Sequence, residues 1–265
     1  MKKLLLLPLV LFFLSCAKNP YTNRSQLILI SPSQEVQMGL QAKQQILKKA
    51  KLSKNPYYNA MVRRVASRIA RVAEAEFHPN FKWEFYVLES PQVNAFCLPG
   101  GKIFVYTGLL KLVQNDDQLA TVIGHEVAHA ILRHGSERVS MAMLGNLGKE
   151  LLARGLQVSG HNWGPLFDLA YGVGTQYGII YPYSRKFEYE ADKLGLYLMY
   201  KACYNPYEAL KFWDQMRRAK KQRIPEFLST HPADTNRIRA LAAYIKKLQT
   251  IPRNCSANGF QRRIK

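Results

Sequence analysis

Acidic residues are scarce in this sequence: 18 Asp and Glu stand against 38 Lys and Arg, a formal net charge of +20. A surface so weighted is drawn to anionic partners such as lipid headgroups, lipopolysaccharide or nucleic acid. No nucleic-acid-binding motif accompanies the charge, so nucleic acid is not an expected partner. Long apolar segments are also missing. The N-terminal run from Leu4 to Leu14 is interrupted by Pro8 and falls short of the roughly 20 residues that cross a bilayer. Cysteine is sparse, with four in 265 residues. Cys97, within Ala95-Phe96-Cys97-Leu98, reads as a small unpaired core residue. Cys16 closes the N-terminal apolar run, which leaves Cys203 and Cys255 either to pair or to remain two free thiols. A hydrophobic content of 48% nevertheless supports a folded chain with a substantial core.

What is present centres on Ile123-Gly124-His125-Glu126-Val127-Ala128-His129-Ala130. On a helix, His125 and His129 lie one turn apart on one stripe, close enough to share a metal ion. Glu126 is turned about 100° aside. Two neutral imidazoles beside a carboxylate able to take a proton from water are what a zinc hydrolase requires. With six His and twelve Glu in the chain, the His-Glu-x-x-His pattern arises by chance about 0.006 times. A purely structural helix would bury three titratable groups among Leu119, Val122, Ile123, Val127, Ala130 and Ile131 without a shared partner. A metal removes that conflict.

The chain around this helix reads as mainly helical α+β. Ser31-Pro32-Ser33 starts a helix that runs to about Lys51, after a short apolar strand over Leu27 to Ile30. Beyond Asn55-Pro56, Met61, Val65, Ile69 and Val72 recur at helical spacing, and Arg63, Arg64, Arg68 and Arg71 form a solvated face. Strands are expected over Phe81 to Leu88, Asn94 to Leu98 and Lys102 to Tyr106. They form a small mixed or antiparallel sheet packed on the His-Glu-x-x-His helix, and an edge strand there could hold an extended peptide. Asn115-Asp116-Asp117 caps the metal helix; Arg133, His134 and Gly135 end it, with His134 structural and Gly135 the C-cap. Residues 141 to 183 are apolar and Gly-rich, and read as a pair of core helices or a lid over the site. A last helix covers Leu241 to Leu248, before a basic, poorly ordered tail.

At the N-terminus, Lys2 and Lys3 followed by the apolar run read as a secretory signal. Phe13-Leu14-Ser15-Cys16 resembles a bacterial lipobox, making Cys16 the expected lipidation site, and Ala17 after it resembles an outer-membrane sorting signal. The expected organisation is a signal peptide at 1–15, a lipidated N-terminus and tether at 16–32, a zinc metallopeptidase domain at 33–250 and a basic C-terminal tail at 251–265.

Two histidines leave a catalytic zinc site one protein ligand short. Leu132 and Gly135 occupy the places where a HExxHxxGxxH motif needs Gly and His, so a carboxylate from a later helix is the remaining common solution. In Ser184-Arg185-Lys186-Phe187-Glu188-Tyr189-Glu190-Ala191-Asp192, Glu188 and Asp192 share a helical face. Glu188 could reach the metal while Asp192 holds a ligand His; Glu190 points away and reads as a surface acid.

Together with Asn94-Ala95-Phe96, Pro99-Gly100-Gly101 and Ser229-Thr230-His231-Pro232, these motifs resemble the zinc peptidase family of the HtpX membrane protease, the CAAX prenyl protease, the mitochondrial OMA protease and the periplasmic proteases BepA and LoiP. The resemblance runs over about Asn19 to Ala243 and implies a zincin-like fold. It also implies one Zn²⁺ per chain held by His125, His129 and Glu188, with Glu126 as general base. By the same resemblance His231 approaches the zinc, masking its open position or stabilising the transition state, and Arg237 orients that loop or the oxyanion. The lipid-anchored periplasmic members fit best. The expected protein is therefore a zinc endopeptidase of the bacterial envelope, periplasmic and anchored to the outer membrane, acting on misfolded or unassembled envelope proteins. Outer-membrane assembly machinery is a further candidate partner, and a chaperone or assembly factor with secondary or gated proteolysis is the alternative.

Overall fold

The structure, a computed structural model, describes residues 16–154, 185–219, 227–228, 231 and 235–255. Along the chain these form β1 (Cys16–Lys18), β2 (Ser25–Leu27), α1 (Pro32–Lys49), α2 (Pro56–Phe77), β3 (Glu84–Leu88), β4 (Ala95–Leu98), β5 (Lys102–Tyr106), α3 (Thr107–Leu112), α4 (Asp116–Ile131), α5 (His134–Arg154), α6 (Arg185–Lys201), α7 (Tyr207–Ala219) and α8 (Thr235–Leu248). The class is the expected mainly helical α+β. Among the described residues no helix is long and apolar enough to cross a membrane.

Helix starts follow local chemistry. Ser31 caps α1 by accepting from the Gln34 amide while the Gln34 side chain returns to Ser31 N, and Pro32 presets the first turn. Asn55 accepts from the Tyr57 and Tyr58 amides at the start of α2. Asn115 accepts from Gln118 N at 2.9 Å to open α4.

The sheet is mixed, in the order β3-β5-β4, with β5 parallel to β3 and antiparallel to β4. All five residues of β5 are buried, as befits a central strand covered on both faces. Ile103 and Val105 join Ala95, Cys97 and Val87 in a core shared with α2 and α4. Phe104 and Tyr106 point the other way, to Phe96, Leu98, Ile30 and Met38 of α1, with Phe104 stacked at 4.9 Å on both Tyr86 and Phe96. Helix α4 thus lies between the sheet and α6.

Four expectations change. The strand expected over Leu27 to Ile30 is instead β2, Ser25–Leu27, paired antiparallel with β1. The left-handed Asn23 (φ 53°) and the Asn19 N to Arg24 O bond of 2.7 Å close this hairpin, which ends the strand before Ile30 turns into the α1 core. The supposed tether is docked as well: Gln26 donates to Leu132 O at 2.9 Å and Arg24 grips Glu137 at 2.6 and 2.7 Å. Gly135 does not cap α4. Arg133 takes the left-handed position (φ 57°), held by Glu35 Oε2 at 2.7 Å and Ile30 O at 2.9 Å, and Gly135 lies inside α5. Those two bonds offset the modest cost of a left-handed non-glycine residue. Of the expected tail, residues 251–255 are tied down: Cys255 forms a disulfide with Cys203 and Tyr200 donates to Ile251 O at 2.9 Å, while residues 256–265 lie outside the described residues. Residues 155–184, most of the expected core-helix or lid segment, lie outside the described residues.

Candidate metal centre

The centre is assembled by close contact of α4 and α6 at two glycines. A Cβ on Gly195 would lie 2.7 Å from His125 N, and one on Gly124 would lie 2.7 Å from Gly195 O. Backbone therefore meets backbone, and α6 delivers Glu188 and Asp192 to the α4 histidines. His125, Glu126, His129, Glu188, Asp192, His231 and Arg237 are all buried.

Ligand atoms of three residues close a triangle of contacts, in which each Glu188 oxygen faces one histidine. His125 Nε2 and His129 Nε2 are 3.1 Å apart, His129 Nε2 and Glu188 Oε1 3.3 Å, and His125 Nε2 and Glu188 Oε2 3.4 Å. A tetrahedral ion with bonds of about 2.0–2.1 Å has ligand–ligand edges of roughly 3.3–3.4 Å, so the donor set matches zinc in size and type. His231 Nδ1 stands over the same triangle, 3.1 Å from His125 Nε2 and 3.0 Å from Glu188 Oε1. Ligand atoms of all four residues lie within 4.8 Å of one another.

The electrostatics keep two carboxylates ionised beside the histidines. Burial works against the Glu188 carboxylate, yet His231, Arg237 and His125 hold its pKa well below the ordinary value. Asp192 is likewise lowered against burial by Arg237 and His125. For His125 burial acts downward, but Glu188 and Asp192 outweigh it and raise its pKa to about 9. Burial lowers His129, keeping a neutral nitrogen available as a ligand. Glu126 behaves differently. Burial raises its pKa, opposed only in part by His231 and His125. Its Oε1 is buried, 3.4 Å from His231 Nε2 and without a hydrogen bond among the described residues. A carboxylate so placed suits proton transfer better than structural pairing.

Each ligand histidine has a support behind it. Asp192 Oδ1 lies 3.1 Å from His125 Nδ1 and accepts from Arg237 at 2.7 Å. Arg237 also meets Glu188 at 3.0 Å and stacks over Trp213 with its guanidinium carbon 3.8 Å from the ring centre. Arg237 therefore binds the two carboxylates directly. Behind His129 is His134, whose Nδ1 is 2.9 Å from His129 Nδ1 and whose Nε2 is 3.0 Å from Glu190 Oε2. Glu190, expected on the surface, is instead bonded to Arg24 Nε at 2.8 Å. No sequence signal marks Trp213, His134 reads there only as structural, Glu190 reads as a surface acid, and nothing singles out Arg24. The last two are 166 positions apart, and no short-range pattern links them. Of the cysteines, Cys97 is buried and free with its pKa raised by burial and by Glu126, and the side chain of Cys16 is outside the described set.

A sequence profile described as Peptidase family M48 matches residues 56–245. The mitochondrial metalloendopeptidase OMA1 of Schizosaccharomyces pombe is 32% identical over 242 residues, 91% of this chain and 69% of that protein. The human mitochondrial metalloendopeptidase OMA1 is 33% identical over 263 residues, 95% of this chain and 50% of that one. The beta-barrel assembly-enhancing protease of Escherichia coli K12 is 28% identical over 224 residues, 79% of this chain and 43% of that one. The chain thus spans half of the human relative and less than half of the E. coli one.

These similarities correct two expectations. Similarity is higher and longer to the OMA-type proteins than to the bacterial protease, so the periplasmic members do not fit best. The expected periplasmic, outer-membrane location is overturned too, because the metalloendopeptidases covering most of the chain are mitochondrial by name. The expectation rested on a short local pattern, the charge and apolar length of residues 1–17, which weighs less than similarity over most of the chain.

Proposed function

The chain belongs to peptidase family M48 and is a metalloendopeptidase, and from that premise we propose that it cleaves extended segments of misfolded or unassembled membrane proteins. His125, His129 and Glu188 would hold the zinc ion that the family uses, and Glu126 would be the general base. The observation that carries this reading is the convergence of the two His Nε2 atoms and both Glu188 oxygens, with contacts of 3.1, 3.3 and 3.4 Å between the three residues. When bound, zinc supplies a Lewis acid that polarises the peptide carbonyl and acidifies water. Glu126 takes the proton of the attacking water and passes it to the leaving amine. Asp192 fixes the ring of His125, and Arg237 fixes Asp192 and Glu188.

His231 closes this arrangement. Its Nδ1 stands where a fourth ligand would, and the residue is 3% exposed, so we read it as a group that swings aside before a peptide enters. Strand β4 supports the substrate class. It packs on α4, and among the described residues no strand pairs with its second edge. Backbone bonds along such an edge recognise extended chains with little regard to sequence. The name of the E. coli relative, a beta-barrel assembly-enhancing protease, agrees with unassembled membrane proteins as substrates. The closure by His231 also favours a second reading, a chaperone or assembly factor whose proteolysis is gated.

Metal analysis combined with casein digestion tests the assignment. Wild type should carry one zinc per chain and digest casein, and Glu126→Gln should keep the zinc and lose about 10²- to 10⁴-fold in turnover. Full turnover by Glu126→Gln would overturn the mechanism. Retention of unfolded membrane protein by that variant, with the biological effect preserved, would favour the chaperone reading.

A further inference from the structure

Two arginines from opposite ends of the chain close on the metal centre. From α8, Arg237 holds Asp192, and Asp192 meets His125 Nδ1 at 3.1 Å. From the β1–β2 hairpin, Arg24 holds Glu190 at 2.8 Å, Glu190 meets His134 Nε2 at 3.0 Å, and His134 Nδ1 meets His129 Nδ1 at 2.9 Å. The second chain is the first lengthened by one imidazole. We infer that His134 and Glu190, secured by Arg24, are positioning residues that fix the tautomer and ring orientation of the ligand His129, so that the N-terminal hairpin is part of the metal-binding apparatus.

The directions of the hydrogen bonds follow from proton counting, and the inference rests on the zinc reading above for its first step. A histidine that gives its Nε2 lone pair to a metal carries its proton on Nδ1. His129 Nδ1–H must then donate, and the only role left to His134 Nδ1 is acceptor. His134 therefore carries its proton on Nε2 and donates it to Glu190 Oε2. Glu190 Oε1 accepts from Arg24 Nε–H. Every link has one donor and one acceptor, and the series ends on a carboxylate whose second oxygen is occupied. Ligand histidines ordinarily reach such a carboxylate directly, as His125 does; here His134 carries the connection across a ring width.

The rest of the hairpin is built to hold Arg24 still. Its guanidinium makes two bonds to Glu137 at 2.6 and 2.7 Å, and Gln26 Nε2 donates to Glu137 Oε2 at 3.0 Å. Gln26 also bonds Leu132 O at the end of α4, two residues before His134. The ring of His134 is stacked on Phe187 with centroids 4.4 Å apart, and the Arg24 guanidinium carbon lies 5.1 Å from the centre of the Phe187 ring. Phe187 immediately precedes the ligand Glu188, so the hairpin, α5 and α6 meet on one side of the zinc ligands.

Glu190→Gln is the sharpest test, because an amide has a single acceptor oxygen while both its neighbours donate; one link must fail whichever way it turns. His134→Phe keeps the ring against Phe187 and removes the acceptor. Arg133→Gln, which breaks a different ion pair on the same side, controls for general loosening. Zinc affinity of the full chain is read by competition with a chromophoric chelator, alongside melting of the metal-free protein. Glu190→Gln and His134→Phe should bind zinc about 10- to 100-fold more weakly, and Arg133→Gln as tightly as wild type whatever its melting temperature. Wild-type zinc affinity in Glu190→Gln would overturn the inference, even where His134→Phe fails to fold. Absence of zinc binding by the wild type would instead overturn the metal reading itself.

Discussion

Gly124 and Gly195 bring the backbones of α4 and α6 into contact: a Cβ on Gly195 would stand 2.7 Å from His125 N and 2.8 Å from Gly124 C. No other residue type fits without separating the two helices that carry the ligands. The obstacle is backbone, which cannot rotate away as a side chain can.

Gly195→Ala should therefore push α6 outward. The expected cost is about 1–3 kcal/mol of stability, and the shift of Glu188 should weaken zinc binding beyond what the stability loss alone produces. Urea unfolding of the metal-free protein and a zinc competition titration separate the two effects. An alanine variant of unchanged stability would show that the helices do not pack at this contact.

His231→Ala removes the nitrogen that stands 3.1 Å from His125 Nε2 and 3.0 Å from Glu188 Oε1. If the side chain masks the site, a hydroxamate that chelates zinc should bind the variant at least about tenfold more tightly, because the competent state no longer has to be released first. Zinc content should stay at one per chain. Loss of zinc from His231→Ala would identify the residue as a required ligand and discard the gating role.

Acid stability should depend on Glu84. Desolvation acts to raise this carboxyl, but bonds from Tyr86, Lys102 and Lys43 outweigh it and lower its pKa to about 2, against an ordinary 4.5. Lys102 is itself 2% exposed, with Glu84 at 2.9 Å. A folded-state pKa below the unfolded one contributes stability that is present above pH 4.5 and is lost as pH falls through about 2. The melting-temperature gap between wild type and Glu84→Gln should thus be full at neutral pH and shrink across that window. A gap independent of pH from 7 to 2 would refute the ion pair's contribution.

Much of the fold was legible because its signals are local. The helix start at Ser31-Pro32, the break at Asn55-Pro56, the cap at Asn115 and the strand Lys102 to Tyr106 stand close to where short-range chemistry puts them. Local rules failed where a distant partner intervened. Gly135 is the better C-cap by propensity, yet Arg133 takes the left-handed turn because Glu35 and Ile30, about a hundred positions earlier, receive its guanidinium. Glu190 looked like a solvated acid on a helix face for want of any sign that Arg24 would reach it.

By itself the sequence determined that His125 and His129 share a stripe with Glu126 beside them, and that Glu188 and Asp192 share another, since helical period fixes such neighbours whatever surrounds them. Tertiary structure alone decided how these stripes meet. The backbone contact at Gly124 and Gly195 sets the distance between them, Arg237 and Arg24 arrive from the two ends of the chain, and His231 is set over the ligand triangle. Those placements depend on packing among elements far apart in the chain, which no periodicity within one element encodes.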